Sequence, residues 1–509
     1  MYIDDITLTA EGTEAEVLGK LIPALRDLIT MVEVELGCAI EWKKAAVVAS
    51  NDTLMQRLKT ACGIKGDELQ TTANLGVDFG CGKTRAKCGK HTVRRTRMKA
   101  ARRRKGRLHI LKKILGGNRA VLIAASGVLP AAIYGAAVSG MSDHELLQLR
   151  RISASAMTPS AKGRSLSALM LLRGDPTWTA AVAPLQQWVR AGWNAAQDKE
   201  LVGRGIDLKF MMEAWDRDAP ARRTRLVNSS GRRAWGKVKG PIDALELSLH
   251  RLGWHAESAF IWVDDLGTRR EILDYSPCMW KGFLRDAVQR WHEREVAEKI
   301  GLVNGAVCNR VCFDVPKHVM SLTAIDEKGK TALATVVCNG LWTKVDAISA
   351  GYKMDNNLCE MCGLHPDTLH DRLWNCQHPE VVGARSKTAT TELIAAARKE
   401  GNSSLLYCRG ILAHPADTVP RPSAKGVLTM KQYGVEVSAA TLDIGGEVFL
   451  DGSCDTHVIK ELRRASFAAV ELDDKGNQKN VIVGAVAADM PQTAQSSEYC
   501  AALYAAITV

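Results

Sequence analysis

The sequence predicts a multidomain protein that joins α/β and α+β folds through a mostly helical middle. Three observations carry this. A chain of 509 residues, 46% hydrophobic and 24% charged, has ordinary globular composition and enough length for about three or four cores. Near the start, a strand-like alternation meets an amphipathic helix. From Glu447 onward, three strand patterns are followed by one helix, which is how an α/β or α+β domain opens.

Taken in order, Ile6, Leu8 and Ala10 alternate with Thr7 and Thr9, so Tyr2 to Ala10 reads as a strand with Asp4 and Asp5 at its turn. Thr13-Glu14-Ala15-Glu16 is a capping box, and Leu18, Leu21, Leu25, Leu28 and Val32 then keep helical spacing, with Pro23 a kink. Gly37 to Ala49 suggests a turn and a strand, Ala39 to Val48, carrying Lys43 and Lys44. Asn74 to Phe79 reads as a short strand whose Gly76 marks a close approach to the backbone.

Charge is concentrated in one place. Lys83 to Lys113 holds fifteen Lys or Arg and no Asp or Glu, which exceeds the net charge of +12 for the whole chain. Such a block points to a polyanion, and a phosphate backbone is the commonest one. The competing reading is a solvated basic tail or an import signal. Apolar residues flanking and interleaving the block favour nucleic acid.

Fourteen cysteines at irregular spacing, with no secretory signal after Met1, fit a reducing compartment, in the nucleus or the cytoplasm. Ala120 to Met141 is uncharged and long enough to span a bilayer, but Pro130 interrupts it and Ala, Gly and Ser dominate. It reads as two short buried helices rather than a membrane span. Residues 145–345 look helical and tryptophan-rich without catalytic spacing, a connector; Cys308 and Cys312 there sit where a helix could bury both. Pro415 to Gly426 is a linker by composition. The last pattern is strand Glu447 to Asp451, strand Ala465 to Leu472, a turn, strand Val481 to Ala488, and a helix from about Ser496.

Three constellations carry chemistry, and a weaker fourth group stands beside them. Asp4 and Asp5 at a tight turn project hard oxygen ligands suited to Mg or Mn, although an adjacent acid pair is common on surfaces. Cys359, Cys362, His370 and Cys376 give four soft or borderline ligands on a short stretch, which suits structural Zn, with His365 and His378 as competing ligands. Cys81, Cys88 and His91 form a weaker trio without a clear fourth ligand. Asp451 at a strand end and Glu498 in the first turn of a helix are placed as two acids that could share Mg ions, against the bland reading of an Asp-Gly turn and a helix-favouring Glu.

These motifs resemble, in order, an interior stretch of a LINE-type (non-LTR) retrotransposon polyprotein. Tyr2-Ile3-Asp4-Asp5, the following helix, Gly37 to Lys44 and Leu75-Gly76-Val77 are similar to the second half of a reverse transcriptase palm. The basic block with Leu129-Pro130 and Tyr134-Gly135 resembles the thumb. Cys359-Glu360-Met361-Cys362, Asp367-Thr368, His370 and Cys376 resemble the zinc knuckle that follows it. Phe449 to Ser453 and Thr493 to Leu503 resemble the first strand and first helix of type 1 ribonuclease H.

The resemblance implies a layout: palm remnant 1–80, basic thumb 81–160, helical connector 161–345, knuckle 346–385, linker 386–440 and a ribonuclease H opening of three strands and one helix at 441–509. It implies that Asp4 and Asp5 hold Mg or Mn, and that Lys43 or Lys44 lies near a triphosphate. Arg94, Arg95, Arg97, Lys99, Arg102, Arg103, Arg104, Lys105 and Arg107 would track a template-primer backbone, with RNA, DNA and RNA–DNA hybrid as partners. Asp451 and Glu498 would ligate Mg for cutting RNA paired with DNA. The family's remaining acids fall before Met1 and after Val509, so the expectation is an impaired enzyme. Its rival is a non-catalytic nucleic-acid-binding zinc protein from a decayed element. Oligomeric state is left open.

Overall fold

The computed structural model describes residues 6–42, 45–63, 67–68, 71–74, 76–88, 92–159, 163–203, 206–300, 309–417, 419, 427–438, 441–442 and 444–507. Asp4, Asp5, Lys43, Lys44, Leu75, His91 and Cys308 lie outside them. The fold is mixed α/β, mostly helical with small sheets. Two compact units form, residues 1–156 with 176–288, and residues 157–175 with 289–509. The connector 161–345 is therefore divided between two bodies.

In the first unit, α1 (Glu14–Thr30) begins at the expected capping box: Glu16 N donates to Thr13 Oγ1 and Thr13 N to the Glu16 carboxylate. It packs on α2 (Asp52–Cys62) around Val17, Leu54, Met55 and Leu58. The expected strand over Tyr2 to Ala10 does not form in its described part. Residues 6–10 carry no regular structure, and Ile6 and Leu8 face solvent, because alternation makes a strand only where an edge is available to pair with. The strand expected at Ala39 to Val48 shrinks to Ala46–Val47, paired in parallel with Asp67–Glu68. Cys38, Trp42 and Ala45 instead donate into local turns.

A hairpin of β1 (Thr72–Asn74) and β2 (Val77–Phe79) leads into the basic helix α3 (Val93–Leu115). Helix α3 lies against Gly117–Ile123, Leu129–Ile133 and α4 (Asp143–Ala154). The uncharged stretch after α3 is thus broken into short helical pieces, burying Ala120, Leu129, Ala132 and Ala136 while Leu122, Ile123 and Tyr134 stay exposed. Among the described residues no helix is long and apolar enough to cross a membrane. Helices α5 (Trp178–Gln197) and α6 (Pro241–Leu252) pack together, and a small sheet over residues 255–271 follows. Here the tryptophans build core: Trp280 meets Trp262 edge-on at 5.4 Å and Phe283 at 5.8 Å, and Nε1 of Trp280 donates to Ile272 O.

In the second unit, Cys312 sits on a short buried strand, Val311–Cys312, rather than a helix, and burial pushes its thiol up to about 11. The segment expected as a linker, 386–440, carries structure: α7 (Pro379–Thr388) and α8 (Thr391–Glu400) pack beside the knuckle, and a strand pair, β3 (Val427–Gln432) and β4 (Val435–Glu436), begins the terminal sheet before residue 441. That sheet is antiparallel, with strand order β4-β3-β7-β6-β5, where β5 is Val448–Cys454, β6 Ala465–Leu472 and β7 Gln478–Ala485. The three expected strands form, the last of them three residues earlier than the expected Val481 to Ala488, with two more beside them. Helix α9 (Ala494–Ile507) covers β5 and β6, burying Phe467, Ile482, Ala501 and Ala505.

Candidate nucleic-acid interface and metal knuckle

Helix α3 forms because its start is satisfied twice. Thr92 Oγ1 accepts from Arg95 N at 3.2 Å, and the Asp78 carboxylate at the end of β2 accepts from Val93 N and Arg94 N at 2.8 and 3.1 Å. Met98, Ala101, Leu108 and the stem of Lys112 form its buried stripe. Arg95, Lys99, Arg102, Arg103, Arg104, Lys105 and Arg107 remain exposed, and none has an ion-pair partner among the described residues. From Arg95 to Arg107 the helix rises about 18 Å, so these cations form a strip comparable to about five phosphates of one strand.

Two residues expected on that strip face inward instead. Arg94 lies between Glu145, Ser139 Oγ at 2.6 Å and the Gly140 carbonyl, and burial brings its guanidinium down to about 10. Burial raises the Glu145 carboxyl, but Arg94 and Arg85 outweigh it and hold it at about 2. Arg97 donates to Gly76 O at 2.7 Å and stacks over Tyr134 at 4.6 Å. The close approach expected at Gly76 is this arginine. Of the weaker trio, Cys81 donates to Val48 O and Cys88 packs against Gly80; burial raises both thiols, as inert structural cysteines require.

The knuckle is more sharply built. Leu358 bridges Pro366, Cys359 N donates to His365 O at 2.8 Å, and Gly363 N returns to Cys359 O at 2.9 Å. Gly363 takes φ +65°, the left-handed turn that a glycine after CxxC allows without strain. The Sγ atoms of Cys359, Cys362 and Cys376 all lie within 4.8 Å of one another, with Cys359 and Cys376 3.9 Å apart. Backbone donors at Leu364 and Gln377 bring the Cys362 thiol down to about 6, whereas burial raises that of Cys376. Three converging sulfurs, one held toward the thiolate, fit a soft divalent ion.

His370 is not within that group of ligand atoms. Its Nε2 faces the Ala397 carbonyl at 2.9 Å; a carbonyl only accepts, so Nε2 carries the proton and Nδ1 is the nitrogen able to ligate. The preceding Asp-Thr pair has structural duties. Asp367 is buried, accepts from Lys344 N at 2.7 Å and pairs with Arg372; Thr368 Oγ1 accepts from Asp371 N, starting the turn that bears His370. Arg385 donates to Cys376 O at 2.7 Å and Arg398 to Trp374 O at 2.9 Å, tying the segment to α7 and α8.

At the terminal sheet, a Cβ built on Gly452 would lie 2.4 Å from Glu498 N and 2.7 Å from Ser497 Oγ, so only glycine lets β5 and the first turn of α9 touch. The carboxylates are less close in aspect. Gly452 pairs with buried Phe467 on the helix side, and Asp451 pairs with Ala468 and points to the other face. Asp451 and Glu498 are both exposed, and neither joins a cluster of three ligand groups among the described residues.

One cluster has no signal in the sequence. Glu293, His414 and Glu461 place ligand atoms within 4.8 Å of one another, around Arg310, which binds Asp417 at 2.5 Å and Glu461 at 2.7 Å. Burial drives the Glu293 carboxyl up to about 7. His414 Nδ1 accepts from Ala416 N, so its Nε2 carries the proton and cannot ligate in the neutral ring. This is an arginine-centred ion network rather than a metal site. Asp417 and Glu461 lie 107 and 151 residues from Arg310 along the chain, beyond any motif.

No family model matches the chain, and no curated protein or solved structure matches it.

Proposed function

We propose that this chain is a nucleic-acid-binding protein of LINE-type retrotransposon ancestry, in which the outer face of α3 grips the phosphate backbone of RNA, DNA or their hybrid. The carrying observation is the run of seven exposed cations, Arg95 to Arg107, without acidic partners among the described residues. Free arginines are the residues that fork onto phosphate oxygens, while those already paired contribute little. Zinc on Cys359, Cys362 and Cys376, completed by His370 through Nδ1 after a turn of the ring, would cross-link the knuckle. The ancestral activities on this reading are RNA-directed DNA polymerisation and ribonuclease H cleavage.

The test is fluorescence anisotropy with a labelled RNA–DNA hybrid. Replacing Arg102, Arg103, Arg104 and Arg107 by Ala is expected to weaken binding by about 100-fold or more at moderate salt. Unchanged affinity in that variant would overturn the proposal.

A second reading, hybrid cleavage with Mg or Mn on Asp451 and Glu498, is favoured by the Gly452 contact, which sets an Asp-Gly step against a Glu-bearing helix turn. Mg-dependent cutting of the RNA strand that disappears in Asp451→Asn would establish it. Equal cutting by both proteins would assign the activity to a contaminant.

A further inference from the structure

We propose that a cavity at the base of α3 binds a nucleoside phosphate, as a site that adjoins the outer strip and shares its Arg95, Lys99 and Arg102. The cavity is about 810 Å³ and lies wholly within the first unit, between β2, the loop after it, α3 and residues 235–241. Its size falls within the range of about 300–1,000 Å³ usual for organic ligands and is far larger than a lone phosphate requires. Its rear wall is fixed, because Arg85 N donates to Val238 O at 2.7 Å and Ala86 N to Gly236 O at 2.9 Å.

Two independent features ask for an oxygen-rich anion. First, Arg85 Nη1 and Trp235 Nε1 are buried donors without an acceptor among the described residues, and both residues line this cavity. Trp235 is 6% exposed, and its far edge is wedged beside Gly140, where an added Cβ would come within 2.5 Å of it. Burying a donor unpaired is costly, so native proteins generally give it a partner, and a ligand oxygen would be one. Second, Arg95, Lys99 and Arg102 recur at helical spacing along the cavity wall, with Lys239 on the opposing loop, and none of the four side chains has an ion-pair partner among the described residues.

The two acids of the lining do not cancel this field. Asp78 accepts from the first amides of α3, and Glu145 is held by Arg85, Arg94 and the Ser142 amide. Beside Lys83, His144 and three hydroxyls, the wall carries the apolar side chains of Phe79, Met98, Val138 and Val238, which suit a base rather than a second charge. A phosphate would lie against the cations, a ring against the apolar side chains and a sugar or base oxygen on the orphan donors. The same unit can arrive as a free nucleotide or as the end of a strand.

The two kinds of binding can be told apart, because Arg103, Arg104 and Arg107 of the strip are not in the lining, while Lys239 and Trp235 of the lining are not in the strip. Equilibrium dialysis of the full chain with labelled nucleoside monophosphates, the matching nucleosides and inorganic phosphate tests it. Saturable one-site binding of the monophosphates is expected, about tenfold or more tighter than either half alone. Lys239→Ala and Trp235→Phe should each weaken it about fivefold or more, and replacing Arg103, Arg104 and Arg107 should leave it unchanged. Lys239 is exposed on a loop, so its variant keeps the test valid even where the tryptophan change disturbs folding. Competition by a 5′-phosphorylated oligonucleotide, and not by its unphosphorylated twin, would assign the unit to a strand end; no competition by either would assign it to a free nucleotide. Absence of saturable monophosphate binding, or binding that both variants leave intact, would overturn the proposal.

Discussion

On helix α3, Arg102, Arg103, Arg104 and Arg107 stand in solvent, while in the first unit's connector segment Arg222, Arg251 and Arg270 are buried and each holds an acid, Glu246, Asp143 and Asp264. The side chain is the same; the supply of carboxylates differs. Lys83 to Lys113 contains no acid, so α3 can pair only inward, through Arg94 to Glu145, and leaves its outer cations for a partner. The connector interleaves acids with its arginines and, with Asp143 of α4, neutralises them inside the first unit. Arginine content alone therefore says little about nucleic-acid binding, and the local absence of acid says more.

The comparison can be broken most forcefully in the connector. Arg270→Ala leaves Asp264, 1% exposed, as an uncompensated buried charge, so urea unfolding should show a loss of about 3–5 kcal/mol. Hybrid affinity of the folded fraction should not change. A large affinity loss with little change in stability would reverse the assignment.

A pH series sharpens the same contrast through two carboxylates shifted in opposite directions. Glu145 has a folded value near 2 against an ordinary 4.5; its pairing stabilises the fold above about pH 4.5, and this contribution fades as pH falls toward 2. Glu293 has a folded value near 7, so its penalty is absent below about pH 4.5 and grows as pH rises through 7. Glu293→Gln should therefore help most above pH 7, by at most about 3 kcal/mol. A variant equally stabilising at pH 4 and pH 8 would contradict that sign.

Metal content gives the next effect. Purified protein is expected to carry about one Zn per chain by mass spectrometry, with Cys362→Ser losing it. Retention of full metal by that variant would remove Cys362 from the ligand set. The smallest effect is expected on α3 itself: Arg97→Ala should change hybrid affinity by less than about threefold, because Arg97 faces Gly76 and Tyr134, whereas Arg103→Ala should reduce the salt slope by about one.

Local signals in the sequence were readable where the chain satisfies itself locally. The Thr13–Glu16 capping box, the alternating strands at Ala465–Leu472 and Gln478–Ala485, and the CxxC turn at Cys359 each depend on neighbours a few residues away. Tyr2 to Ala10 failed as a strand over its described part because pairing is decided by a distant edge, which periodicity does not encode. The same limit hid β3, whose partner β7 lies some fifty residues on, and the Arg310 network. Inside the basic block, Arg94 and Arg97 looked like the other arginines. Helical phase alone separates 94 and 97 from 95, 99 and 102, and the buried stripe at Met98, Ala101 and Leu108 would have placed the first pair inward.

The central claim is that the outer strip of α3 binds phosphate. Its most direct test is the salt dependence of hybrid affinity for the intact chain beside the variant with Arg102, Arg103, Arg104 and Arg107 replaced by Ala. The account predicts a steep linear fall of log affinity with log salt, and a slope shallower by about three to four units in the variant. Equal slopes for the two proteins would contradict it.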